Sequence, residues 1–182
     1  MNRIRTTLAG VAAALAASEI KCMVIGGMAN IAWGSSRATR DVDFTVMASQ
    51  HDASHIIEAL GAQIAKLPPD LDDYLRDGVL PFIHASGVHV DLILSRHPYA
   101  ELAIARAVTF DVEGTPVRFC TPEDLVLHKI ISERDRDRSD VADLLRRRRD
   151  SLDREYLDPR VHELAVILER PELEERYRDA LA

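Results

Sequence analysis

The 182 residues suffice for one compact domain, or for one domain with a small helical extension. With 47% hydrophobic and 29% charged residues the composition is that of a globular protein, and no apolar run approaches the roughly 18–20 residues of a membrane span, so no membrane partner is expected. A net charge of −7 excludes a protein that grips nucleic acid over its whole surface, while leaving room for a local basic patch such as Arg146-Arg147-Arg148-Arg149.

In chain order, residues 3–18 predict a helix rich in Ala and Leu. Arg3 and Arg5 ahead of this apolar stretch have the order of a signal peptide. Met23-Val24-Ile25-Gly26-Gly27 follows at once and needs the helix before it, so the stretch is read as a packing element and the protein as cytoplasmic. Lys21–Ile25 reads as a short buried strand ending at Gly26-Gly27, and Met28–Trp33 as a short helix before the Gly34-Ser35-Ser36 turn. Asp41–Met47 alternates polar and apolar residues, the period of a strand with one buried face. A helix over His51–Leu60 and a strand over Ala62–Leu67 follow, the latter broken by Pro68-Pro69. Asp72–Arg76 reads as a short helix, Phe82–Ala85 and Val88–Leu94 as strands, and Tyr99–Ala107 as a helix. Val108–Val112 and Val117–Cys120 form a strand pair about Glu113-Gly114. Thr121-Pro122-Glu123-Asp124 opens a helix with a Thr cap, Pro at the first position and acids in the first turn, and the rest is helical. The expected fold class is α+β: a short mixed sheet with flanking helices over residues 1–120, and a helical extension over 121–182 packed on it. Cys22 and Cys120 lie in apolar strand-like runs without metal-ligand spacing, which fits buried free thiols in a reducing cytosol.

Three features carry chemistry. Gly26-Gly27 ends a strand and begins a helix, where glycine lets backbone approach a ligand and amide groups face phosphate; by itself such a pair equally serves a tight turn. Asp41 and Asp43, two apart on a strand, project from one face. Carboxylates so close repel unless a cation sits between them, and hard oxygen ligands suit Mg2+ or Mn2+. Asp91 is a lone acid within an apolar strand, costly to bury unless paired or metal-bound; a partly exposed strand end is the bland alternative.

Residues 24–46, Val-Ile-Gly-Gly-Met-Ala-Asn-Ile-Ala-Trp-Gly-Ser-Ser-Arg-Ala-Thr-Arg-Asp-Val-Asp-Phe-Thr-Val, resemble the first motif of the DNA polymerase β-like nucleotidyltransferase superfamily. The Gly-Gly form with Arg-x-Thr-Arg-Asp-Val-Asp is most like the AbiEii-type branch, nucleotidyltransferase toxins of toxin–antitoxin and phage-defence systems. Val90-Asp91-Leu92-Ile93 is similar to the superfamily's third-carboxylate strand. Lys129, followed by Arg136-Asp137-Arg138-Ser139-Asp140, resembles that branch's helical motif. The chain departs from relatives that carry Gly-Ser at Gly26-Gly27, and it is short for an AbiEii-type toxin.

The resemblance implies a nucleotidyl transfer with two Mg2+ (or Mn2+) ions. Asp41, Asp43 and Asp91 would be catalytic and metal-binding, with Asp91 also orienting or deprotonating the acceptor hydroxyl. Gly26, Gly27, Arg37, Arg40, Lys129 and Asp140 would bind the nucleoside triphosphate, Lys129 counting as catalytic and Asp140 bracing Lys129 or the acceptor. The acceptor implied is tRNA or protein, with a cognate antitoxin as partner. An antibiotic nucleotidyltransferase is the competing enzyme reading, for which the acidic Asp70-Leu71-Asp72-Asp73 could line an acceptor pocket. A non-catalytic nucleotide- or partner-binding module is the competing reading of a different class.

Overall fold

The computed structural model describes residues 3–181 of the chain. It divides into two compact units: Met1–Ala29 with Ala38–Cys120, and Asn30–Arg37 with Thr121–Ala182.

The first unit is built on a seven-stranded mixed sheet. Its strands are β1 (Cys22–Val24), β2 (Asp41–Val46), β3 (Ile64–Lys66), β4 (Val79–His84), β5 (His89–Leu94), β6 (Val108–Val112) and β7 (Thr115–Phe119), in the order β3-β4-β5-β2-β1-β7-β6. β2 runs parallel to β5, and β1 parallel to β7; the other pairings are antiparallel. The period-two sequences of β2 and β5 decide what each face carries. Val42, Phe44 and Val46 are buried, as are their register partners Val90, Leu92 and Leu94, and Leu80 and Phe82 extend that apolar face onto β4. Helix α1 (Arg3–Ala17) presents Leu8, Val11 and Leu15 to this core and packs on β7 and β2. Beside it lies α3 (Ala53–Leu60), whose Ile56 and Leu60 are buried. Helices α4 (Leu71–Arg76) and α5 (Pro98–Arg106) complete this unit, and α2 (Gly26–Ala32) follows β1.

Several boundaries differ from those read in the sequence. α2 starts at Gly26 rather than Met28. The helix expected over His51–Leu60 is a 3-10 turn at Gln50–Asp52 followed by α3. The strand expected over Ala62–Leu67 shrinks to β3, because Gly61 (φ 51°) ends α3 and a 3-10 turn takes up Gly61–Gln63. β4 begins three residues before Phe82 and passes through Pro81. Its neighbour β3 ends at Lys66, opposite Ile83, so on that side Pro81 has no ladder bond to break. Cys120 is buried and Cys22 only half-buried; both are free.

The second unit gathers residues 30–37 with α6 (Pro122–Ile130), α7 (Asp135–Arg148), α8 (Arg154–Ile167) and α9 (Glu172–Leu181) around Leu125, Leu144, Leu145, Leu157 and Leu173. Thr121 caps α6, its Oγ1 accepting from the Asp124 amide at 3.2 Å. Asp124 itself is fully buried, and its carboxylate accepts from Thr121 Oγ1 at 2.9 Å and from the Tyr156 hydroxyl at 2.6 Å. A buried carboxylate that loses a donor bears the desolvation cost alone. Tyr156→Phe is therefore expected to destabilise the protein by about 1–3 kcal/mol, read as a lower urea midpoint at unchanged slope.

Candidate active site

The register of the parallel β2–β5 pair brings the acids together. Asp43 is the direct Cα partner of Asp91, and Asp41 that of His89. Cross-strand partners project from the same side of a sheet, so Asp41, Asp43 and Asp91 share the face opposite the apolar core. All three are half-buried while Val42, Phe44, Val90 and Leu92 between them are buried. Burial pushes the Asp91 carboxyl above the usual carboxylate range, and the charge of Asp41 adds to that push against a smaller opposing effect of His89.

The side chains are positioned by their own neighbours. Thr39 Oγ1 donates to Asp41 Oδ1 at 2.5 Å. Gly26 has φ +62°, a left-handed conformation that favours glycine, and a Cβ there would run into the Asp43 carboxylate. A Cβ on Gly27 would likewise run into the Thr39 hydroxyl. The Gly-Gly turn thus packs directly against the acids' strand, and Ile25 donates its amide to Asp43 O at 2.9 Å. Arg40, next to Asp41, is exposed.

As a donor set, three carboxylates on adjacent strands of one sheet face fit a hard divalent cation. They are not gathered around one point: among the described residues no group of three or more His, Cys, Asp or Glu side chains lies close enough to hold a metal.

Arg37, Lys129 and Asp140 meet in the second unit. Lys129 is buried, its Nζ donating to Asp137 Oδ1 and to Asp140 Oδ2, each at 2.7 Å. Arg37 Nη2 donates to Asp140 Oδ2 at 3.1 Å, and Ser132 Oγ to Asp137 Oδ2 at 2.8 Å. Two cations and two carboxylates balance. Burial alone would raise the Asp137 carboxyl, but hydrogen bonds from Lys129 and Ser132 outweigh it and hold it below the usual range. A lowered carboxyl contributes stability above its unfolded range, and that stability is lost as pH falls through the folded value. Three of the four arginines in the run have contacts within this unit: Arg146 pairs with Asp143, Arg147 Nη2 donates to Asn30 Oδ1 at 3.2 Å, and the Arg148 guanidinium sits 4.9 Å over the Trp33 ring.

The sequence reading assigned no role to Thr39, Asp137 or Tyr74. A hydroxyl two residues before an extended-strand acid, and acids spaced i,i+3 on α7, are signals that identify the first two. Tyr74 stands in the wall of a cleft of about 520 Å³ that also takes in Pro68, Pro69 and Pro81, with His89 and Asp91 at its edge. Nothing local marks it.

Over residues 2–167 the sequence matches the family described as uncharacterised nucleotidyltransferase. The chain belongs to this family. The nucleotidyltransferase shares its fold with an antigenic nucleotidyltransferase-like protein from Paracoccidioides brasiliensis (TM-score 0.59, 16% identity, 97% of this chain and 92% of that one). It is similarly related to the antibiotic-resistance factor ANT(2'')-Ia (TM-score 0.56, 17% identity, 96% and 97%). The lincosamide antibiotic adenylyltransferase LnuA in its lincomycin-bound structure aligns at TM-score 0.51 and 14% identity, over 76% of this chain and 94% of that one. At these identities the likeness is one of fold. The comparison with curated proteins finds no match.

Two predictions follow for the nucleotidyltransferase. A raised carboxyl contributes stability that is whole below the unfolded value near pH ~3.9 and lost as pH rises through the folded value. Asp91→Asn removes that loss, so in chelator at pH 7 its melting temperature should exceed the wild type's, with the gap closing towards pH 4. A melting temperature at or below wild type at both pH values counts against the electrostatic account. Lys129→Met leaves buried Asp140 and half-buried Asp137 without their shared partner and is expected to cost about 3–5 kcal/mol in denaturant unfolding.

Proposed function

We propose that this nucleotidyltransferase moves a nucleoside monophosphate from a nucleoside triphosphate to an acceptor hydroxyl, with Asp41, Asp43 and Asp91 holding Mg2+ or Mn2+. The observation that carries the reading is the β2–β5 register, which sets all three carboxylates on one face beside a glycine turn. When bound, two ions would supply Lewis-acid stabilisation of the attacking and leaving oxygens. The chain's own residues do the rest. Gly26 and Gly27 offer backbone amides to the phosphates, since the first amides of a helix have no partner within it. Arg40 lies exposed beside Asp41, within the same motif, to neutralise triphosphate oxygens. Asp91 accepts a hydrogen bond from the acceptor hydroxyl, orients it and takes its proton as the acceptor oxygen bonds to the α-phosphorus and pyrophosphate departs. Arg37, Lys129 and Asp140 are added to the nucleotide-binding residues on the strength of the motif resemblance, and their charge-balanced cluster supports Asp140 as the brace of Lys129.

From the AbiEii-type resemblance comes the finer proposal that the chain is the cytoplasmic toxin of a toxin–antitoxin pair, acting on tRNA or protein. Free rather than bridged cysteines agree with that compartment, and no helix among the described residues is long and apolar enough to cross a membrane. A second acceptor class has its own support: two of the solved structures are of an antibiotic-resistance factor and an antibiotic adenylyltransferase, and Asp70 lines the cleft beside Asp91. The presence of all three carboxylates speaks against a purely binding module. Asp41→Ala or Asp91→Ala should lower turnover on the order of 10³-fold or more while circular dichroism stays native. Retained turnover in either variant, or equal Mg2+-dependent nucleotide binding by wild type and Asp43→Ala, refutes the metal role.

A further inference from the structure

The face that carries the carboxylates does not stop at β5. Pro81 on β4 is the register partner of Asp91, and Ile83 that of His89. The row Asp43, Asp91, Pro81 therefore passes from acids to an apolar surface within one strand spacing, about 4.8 Å. Above that surface the chain leaves β3 at Lys66 and turns through Pro68, Pro69 and Asp70 into α4, where Tyr74 stands. These groups close the cleft of about 520 Å³, with Asp91 in its wall.

We propose that this cleft is the acceptor site, and that the acceptor is a compact, ring-bearing small molecule with a free hydroxyl, neutral or singly charged. The assignment rests on the nucleotidyl-transfer reading above and names the substrate of that same site. Volume is the first argument, since small-molecule pockets run from roughly 300 to 1,000 Å³. Rigidity is the second. Three proline rings and one phenol ring offer flat walls that lose little rotamer freedom on binding, as stacking against a ring requires. Charge is the third. Asp70 and Asp91 line the cleft with Lys66, so it concentrates no positive charge for a phosphodiester backbone.

Position is the last argument. Asp91 belongs both to the carboxylate row and to the cleft, so a ring seated on Pro81 holds its hydroxyl beside the reacting phosphate. The acceptor oxygen bonds to the α-phosphorus, the bond to the bridging oxygen breaks, pyrophosphate carries away that electron pair, and the hydroxyl proton passes to Asp91 and on to solvent.

The test uses the full chain, Mg2+ and each of the four α-labelled nucleoside triphosphates. These are incubated separately with the part of a cell extract below roughly 1 kDa and with its RNA and protein parts. Label is expected on a product of the small-molecule part. Tyr74 is 41% exposed, so Tyr74→Ala should fold normally and raise the KM for that acceptor roughly tenfold while leaving the KM for the nucleotide unchanged. Label confined to RNA or protein overturns the acceptor assignment alone. So does a Tyr74→Ala enzyme with unaltered acceptor KM, and a rise in nucleotide KM instead gives the cleft to the nucleoside base. If wild type labels nothing, or Asp43→Asn labels as well as wild type, nucleotidyl transfer itself is refuted and the acceptor assignment with it.

Discussion

Repulsion between carboxylates on neighbouring strands is the constraint around which the sheet is arranged. Asp43 and Asp91 stand opposite one another in a parallel pair, and Asp41 adds its charge to theirs. Like charges so placed work against folding. What holds the strands together is the other face, where Val42, Phe44, Val46, Val90, Leu92 and Leu94 are buried, each contributing about 1.5–3 kcal/mol of apolar burial. The same alternation locks the register. A slip of one residue would drive the acids into the core and the valines and leucines into water, so the arrangement that brings the acids together is also the one the core enforces. A fold that accepts a repulsive cluster in this way gives up stability at that face, and the apolar face opposite makes up for it.

The second unit treats buried charge differently. Lys129, Arg37, Asp137 and Asp140 lie within hydrogen-bonding distance of one another and their charges cancel. The carboxylate row has no such internal cations within its own strands, whereas this cluster carries both signs of charge.

Much of this was legible in the sequence because it rests on short-range periodicity. The alternation in Asp41–Val46 and around Asp91 tells which side chains share a face within each strand, and the Thr121-Pro122 start of α6 appears as read. The pairing of β2 with β5 was not legible from periodicity, since strand partners far apart in sequence are chosen by the packing of everything between them. Resemblance to a motif supplied that link. Pro68-Pro69 announced a break in the chain, yet its role as a cleft wall depends on β4 lying next to β5, which no dipeptide encodes. Lys129 looked like a cation on a helix face. Its acids come from the next helix, beyond a turn, where helical spacing rules do not reach.

Consider finally the crowding of Gly26 against Asp43. The acid is hemmed in by main chain, with space on that side for a hydrogen atom and nothing larger, so the torsions its carboxylate can visit were narrowed when β1 and β2 paired. The tolerance for any bulkier residue at position 26 is therefore set by the rotamer of an acid seventeen positions later.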